Sequence, residues 1–198
     1  MSSFGQAGDH YLDITGARRS KAWHFKGMTS VKLDSIDLRI LEAVQHDGRI
    51  TKVALAERVG LSGTPCWMRL RRLEKAGLIT GYHARIAIRS IVPMAAVLLE
   101  VTLATHRQLD LERFERAVSD IPEVVACWSV GGGVDYILKV ITSDIDSYQR
   151  VVDDLLSKDL RIDRYFSYVV TRTVKDDVGI PIQHLMSYSG APYGVSTR

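Results

Sequence analysis

The stretch "LSGTPCWMRLRRLE", residues 61–74, constrains the fold more than any other part of this chain. Its apolar residues recur at helical spacing. Counting about 100° per residue from Cys66, Leu70 falls at about 40° and Leu73 at about 340°, so the three form one narrow stripe. On the same count Thr64, Met68, Arg71 and Lys75 fall between about 140° and 200°, with Arg72 and Pro65 on one flank and Trp67 on the other. Such a helix docks through its leucines and turns a basic face outward. Arg69 sits at the edge of the stripe, where it would brace the fold rather than bind. Trp67 has two readings that the residues leave open: packing against the first helix, or facing a ligand.

The flanking sequence supplies what such a helix docks on. Asp34 is a good N-cap, and Ile36, Ile40 and Val44 recur at four-residue spacing through "SIDLRILEAVQ", which predicts an amphipathic helix. "HDGR" breaks it, Thr51 caps "KVALAERV", and Gly60 ends that second, short helix. Ser62 is the expected cap of the third helix, with Pro65 in its first turn, where a missing N–H costs nothing. Gly77 ends it. "LITGYHARIAI" then predicts a short strand, a turn at Gly81 and another strand. Three short helices with a basic third member suit a helix-turn-helix, whose arginines meet phosphates and guanine edges. A solvated charged face is the plainer explanation of an arginine-rich helix alone, but the tri-helical context shifts the balance to double-stranded DNA. Lys52, Ser62, Thr64, Pro65, Trp67, Met68, Arg71, Arg72 and Lys75 are the candidate DNA-binding residues.

Beyond Pro93 the pattern predicts a strand at 95–104, a helix at 109–119, strands at 124–130 and 136–141, a helix at 145–156 and a strand at 165–174. The order βαββαβ is that of a ferredoxin-like α+β sandwich, which supports many unrelated functions. The expected organisation is an extension at 1–30, a DNA-binding domain at 31–82, a linker strand at 83–93, a sensing and oligomerising domain at 94–176 and a tail at 177–198. The extension shows no apolar period and carries a small basic cluster with Trp23 and Phe25; Met28 reads as a second plausible start.

Among 198 residues, 46% hydrophobic and 25% charged, a core is readily built, and the net charge of +3 permits a nucleic-acid partner without demanding one. Cys66 and Cys127 lie far apart with no CxxC spacing, which favours a reducing, cytoplasmic setting over a disulfide framework. No apolar run reaches membrane-spanning length, and the first residues lack the order of a signal peptide. Enzyme readings fare badly. The glycine run in "SVGGGVDY" leads into a strand, so it is no dinucleotide or phosphate loop. Ser62 follows no strand, so "GLSG" is no nucleophile elbow. The six histidines have no metal-ligand spacing. Neither a cofactor nor a metal is expected.

"LDSIDLRILEAVQHDGRITKVALAERVGLSGTPCWMRLRRLEKAGLITGY" resembles the DNA-binding domain of the Lrp/AsnC family of transcriptional regulators, and "IPEVVACWSVGGGVDYILKV" and "YFSYVVTRTVKDD" are similar to strands of its ligand-sensing domain. The resemblance covers about residues 31–176, and the two ends of the chain depart from the usual family length. It implies a winged helix-turn-helix, a small amino-acid-like effector and dimers that assemble up to an octamer. "TPCW" is similar to a subgroup regulating amino-acid and compatible-solute breakdown genes, cysteine and ectoine catabolism among them. The implied effector residues lie around the glycine hairpin: Val130, Gly131, Gly132, Gly133, Asp135, Tyr136 and Thr171. Three glycines can present backbone N–H groups to a carboxylate, and Asp135 can face an ammonium. Against this, glycines simply allow a bulged hairpin that Asp135 caps. The residues alone favour the bulged hairpin, and the resemblance brings the two readings level. An effector-independent architectural DNA-binding protein is the alternative function.

Overall fold

The computed structural model describes residues 32–176 and 179–188. The expected extension at 1–30 lies outside them. The chain divides into two compact units, His83–Gly179 and the described residues on either side of it, up to Tyr82 and from Ile180 onward.

In the first unit α1 (Ser35–His46), α2 (Lys52–Val59) and α3 (Gly63–Lys75) pack around Ile40, Leu55, Val59, Cys66 and Leu73, all at most 2% exposed. Asp34 caps α1 in a reciprocal box, accepting from the Asp37 N–H at 2.9 Å while Asp37 accepts from the Asp34 N–H at 3.0 Å. Gly60 closes α2 at φ 70° and Gly77 follows α3 at φ 71°, the left-handed conformation that a glycine takes without a Cβ penalty. At α3 the Leu78 N–H reaches the Leu73 carbonyl and the Gly77 N–H that of Glu74, which satisfies the last turn.

Three expectations fail in this unit and at its edge. The Ser62 side chain occupies the N-cap position of α3 but makes no capping bond. Pro65 stands at the third helical position and has no N–H to donate, so the hydroxyl has lost its usual partner. The strands expected in "LITGYHARIAI", and the linker strand at 83–93, are absent; one 3-10 turn, Ile88–Ser90, interrupts an exposed run. Tyr82 instead donates its hydroxyl to Glu74 at 3.0 Å, and a lone two-stranded pair gains too little to form without a sheet behind it. The tail read at 177–198 contains a helix, α6 (Ile182–Tyr188), seated on α1. The Gln45 amide bonds both the carbonyl and the N–H of Ile180, at 2.8 and 3.1 Å, and Glu42 accepts from the backbone and the side-chain amide of Gln183. Seven residues are too few for a helical period to be read.

The second unit is a four-stranded antiparallel sheet of order β2-β3-β1-β4, formed by β1 (Ala95–Leu103), β2 (Val124–Ser129), β3 (Tyr136–Thr142) and β4 (Ile162–Val169). Helices α4 (Gln108–Ser119) and α5 (Ile145–Ser157) cover one face. Val97, Leu99, Val101 and Leu103 meet Phe114, Val118, Tyr148, Val152 and Leu155 there. Truncating Phe114, which is fully buried, would cost roughly 3–5 kcal/mol. The last strand lies earlier than the expected 165–174 because β1 is its only neighbour among the described residues. Val97 pairs with Val169 and the Ala96 carbonyl takes one further bond from Val170; below Ala95, Pro93 and Met94 offer no strand to continue on. The opposite sheet face is left uncovered by the helices of this unit among the described residues. Trp128, Ile137, Glu100 and Phe166 lie in one cross-strand row there, and Trp128 and Phe166 are 50% and 52% exposed.

Candidate nucleic-acid interface and effector hairpin

The outward face of α3 gathers the predicted residues. Ser62, Thr64, Pro65, Met68, Arg71, Arg72 and Lys75 are all exposed, as is Lys52 at the start of α2, while Trp67 is half-buried against the helical core. Met68, at 67% exposure, has no core role to explain it. Trp67 packs one side on the helical core, and Lys52 Nζ stands 3.6 Å and Arg71 Cζ 5.3 Å from its ring centroid.

The arginines divide by partner. Arg69 Nη1 reaches Asp34 at 2.6 Å and Asp37 at 2.9 Å, so it braces α1 against α3. Arg72 also turns back to Asp37, at 2.5 Å, although half its side chain remains exposed. Asp37 itself is 1% exposed, a buried carboxylate satisfied by two guanidinium groups and a backbone N–H. Burial opposes the charge on Asp34, but the Asp37 N–H and the Arg69 guanidinium outweigh it and hold that carboxyl below its ordinary value. Sequence reasoning missed Asp37; its place three residues after the cap was the signal. Arg71 is left more open, 66% exposed, with Glu74 at 3.2 Å one turn on.

The hairpin between β2 and β3 is held more tightly than its glycines suggest. The Val130 N–H donates to the Asp135 carbonyl at 2.9 Å, and the Asp135 N–H to Val101 at 3.0 Å. Both carboxylate oxygens of Asp135 are engaged, one by the Leu103 N–H at 2.8 Å and one by His106 Nε2 at 2.8 Å. Of the three glycines only Gly132, at φ 140°, needs a conformation that side chains avoid, and all three are exposed with open space where a Cβ would lie. The Arg164 guanidinium reaches the Gly133 carbonyl at 3.4 Å.

Two of the expected effector residues are not brought to this turn. Tyr136 points into the core, its ring 4.6 Å from that of Phe114 and its hydroxyl donated to Glu115 at 2.9 Å; burial first, and then Glu115, push that phenol far above the ordinary tyrosine range. Thr171 follows β4 beyond the Ala96 end of β1, whereas the hairpin sits at the Val101 end. At about 3.3 Å per residue the two ends are separated by roughly 15 Å within one chain. His106, which contacts Asp135 across 29 positions of sequence, carried no local signal.

Among the described residues no group of three or more His, Cys, Asp or Glu side chains is placed to hold a metal, and no helix is long and apolar enough to cross a membrane. Burial raises the Cys66 thiol above its ordinary value, which suits a core residue rather than a nucleophile.

Residues 33–80 match the family described as winged helix-turn-helix DNA-binding, and residues 96–180 match the Lrp/AsnC ligand binding domain. The chain is 51% identical over 145 residues to the transcriptional regulatory protein DoeX of Halomonas elongata, covering 73% of this chain and 92% of that one. It is 41% identical over 144 residues to a proline dehydrogenase transcriptional activator of Rhizobium radiobacter, with 73% and 92% covered. The crystal structure of a transcriptional regulator of Neisseria meningitidis in complex with L-Met is similar at a TM-score of 0.72 and 32% identity, covering 77% of this chain and 99% of that one. A basic helix-turn-helix face and a ferredoxin-like βαββαβ sandwich in one chain are thus both matched, and the chain belongs to the Lrp/AsnC family of DNA-binding transcriptional regulators with a ligand-binding domain, which are not enzymes.

Proposed function

We propose that this regulator binds its operator through the outward face of α3 and answers to a small amino-acid-like effector held near the hairpin at 131–135, controlling genes of amino-acid or compatible-solute metabolism. The observation that carries the DNA half is the exposure of Thr64, Met68, Arg71 and Lys75 on one face, opposite the buried Cys66, Leu70 and Leu73. A half-exposed arginine such as Arg72 shares its charge between Asp37 and the phosphate backbone. The effector half is supported by the exposed glycines of the turn, with open space around them, and by the relatives, whose names speak of a proline dehydrogenase activator and of a complex with L-Met. A carboxylate has about four acceptor positions, so Asp135 retains capacity beyond Leu103 and His106.

The uncovered sheet face supports a homodimer, assembling further up to an octamer. Trp128, Phe166 and Tyr168 are each at least half exposed on it, a patch of the kind that a second copy of the chain covers. Two copies also present two recognition helices to successive half-sites.

The test is a gel shift of the DNA upstream of the gene, at fixed salt, with a panel of amino acids and their derivatives. Preference for that fragment over random DNA, altered by one compound, is the expected result. Specific binding that no compound alters would favour the effector-independent architectural reading.

A further inference from the structure

Besides Lys75, four cationic side chains stand on or beside the outward face of α3, and they are held in two different ways. Arg69 and Arg72 are bound to carboxylates of α1, within 2.9 Å, which neutralises much of their charge. Lys52, from α2, has the ring of Trp67 as its close partner, 3.6 Å from the centroid, and meets no carboxylate among the described residues. Arg71, from α3 itself, shares that ring at 5.3 Å and is also paired to Glu74 at 3.2 Å in an exposed contact. An aromatic ring attracts a cation through its quadrupole but carries no charge of its own. A cation steadied in this way keeps more of its attraction for phosphate than one paired to a buried carboxylate. Lysine is also the side chain that benefits most, since its four-carbon stem has many rotamers to lose when a phosphate fixes it.

We infer that Trp67 is a positioning residue for DNA binding: it packs on the helical core and holds Lys52 of α2 and Arg71 of α3 at one spacing, so that both meet a single stretch of phosphate backbone. The indole need not touch a base. It joins the two helices of the motif on the DNA side, as Arg69 joins α1 and α3 on the other. This rests on the assignment of the α3 face to DNA.

The test uses the full chain and its own upstream fragment, with affinity measured across a salt series for Trp67→Leu, Trp67→Phe, Lys52→Gln and the Trp67→Leu/Lys52→Gln double variant. Trp67→Leu should weaken binding about five- to tenfold, the worth of two exposed cation–ring contacts, and Trp67→Phe should recover a large part of it. In the parent, Lys52→Gln should weaken binding and lower the slope of log affinity against log salt by about one. In the Trp67→Leu background the same change should cost much less affinity. Equal losses in both backgrounds would overturn the inference, because Trp67 would then act only through the fold. So would a loss in Trp67→Phe confined to the upstream fragment and absent on random DNA, which marks direct base reading. Lys75→Gln separates the two levels: if it and Arg71→Ala both leave affinity untouched, the assignment of the α3 face fails, whereas if they weaken binding and Trp67 shows no coupling to Lys52, only the present inference does.

Discussion

The outward face of α3 and the hairpin at 131–135 are the two sites proposed for DNA and effector, and they handle polar groups in opposite ways. On α3 the groups that matter point away from the protein: Arg71 and Met68 are 66% and 67% exposed, and the carboxylates that steady their neighbours lie behind, on α1. At the hairpin the groups turn inward. Asp135 spends one oxygen on Leu103 and the other on His106, and Tyr136 is closed into the core. A surface that meets a long polyanion has to be open and can be made by one helix. A site for a small molecule is assembled from segments far apart in the chain, and its groups need partners before the ligand arrives. The contrast makes the first site sensitive to charge removal and the second sensitive to loss of internal bonds.

The sharpest break in that contrast is behind α3 rather than on it. Asp37→Ala leaves Arg69 and Arg72 without their shared buried partner and opens a polar gap between α1 and α3. Losing one member of a buried ion network costs about 3 kcal/mol, and the partial exposure of both arginines keeps the figure at that lower end. Urea unfolding should show the helical unit melting early while the sandwich keeps its midpoint. A coincident, unshifted transition for both would mean that Asp37 is dispensable.

Arg71→Ala should act on the face alone. Specific DNA affinity should fall by about 1–3 kcal/mol if the guanidinium reads a base, and by less, equally on all sequences, if it meets phosphate. Folding should be spared, because the Glu74 contact it loses is exposed. Fluorescence anisotropy on operator and random duplexes separates the outcomes, and an unchanged affinity on both removes Arg71 from the interface.

The same contrast explains what the sequence disclosed. The third helix, its leucine stripe, the caps at Asp34 and Thr51 and the closing glycines were legible because each depends on residues within one or two turns. The sandwich was legible through alternation in "AAVLLEVTL" and through strand order. What was not legible is what depends on distant partners: the pairing of Asp37 with Arg69 and Arg72 some 32 to 35 positions away, and of Asp135 with His106. The missing strands at 78–88 and the early end of β4 have the same origin, since a strand forms only where a neighbour offers its edge. Ser62 shows a finer case, in which a residue stands at the right place and its donor has been removed by Pro65.

Asp135→Asn sharpens the comparison from the other side. The amide keeps the shape, but the carboxylate charge beside His106 is lost, and the amide nitrogen that replaces one oxygen cannot accept a bond. A loss of about 1 kcal/mol in the sandwich is expected, with operator affinity unchanged. Effector titration by calorimetry on the same variant measures the sensing role: a drop of one to two orders of magnitude is expected if Asp135 meets an ammonium, at about 1.5–3 kcal/mol for a charge-assisted contact. Unaltered effector affinity beside the lowered melt would leave Asp135 as the cap of the turn and nothing more.

The smallest effect concerns the segment after the sandwich, where the chain continues past the residues that match the Lrp/AsnC ligand binding domain. Gln45→Ala deletes both bonds that hold the Ile180 backbone, and leaves the Glu42 contact with Gln183 and the packing of Ile182 near Leu41 and Val44. The Ile180 groups are exposed, so water takes the place of the amide, and the net loss should stay below about 1 kcal/mol. The unfolding midpoint should therefore barely move. Hydrogen exchange is the more discriminating measurement, because α6 is seven residues long and has no means of persisting once it leaves α1. Amides at 183–187 should exchange several-fold faster in the variant while those of α3 stay protected. If the α3 amides lose protection as well, α6 supports the DNA-binding core, and the division between a firm recognition helix and a peripheral C-terminal one has to be redrawn.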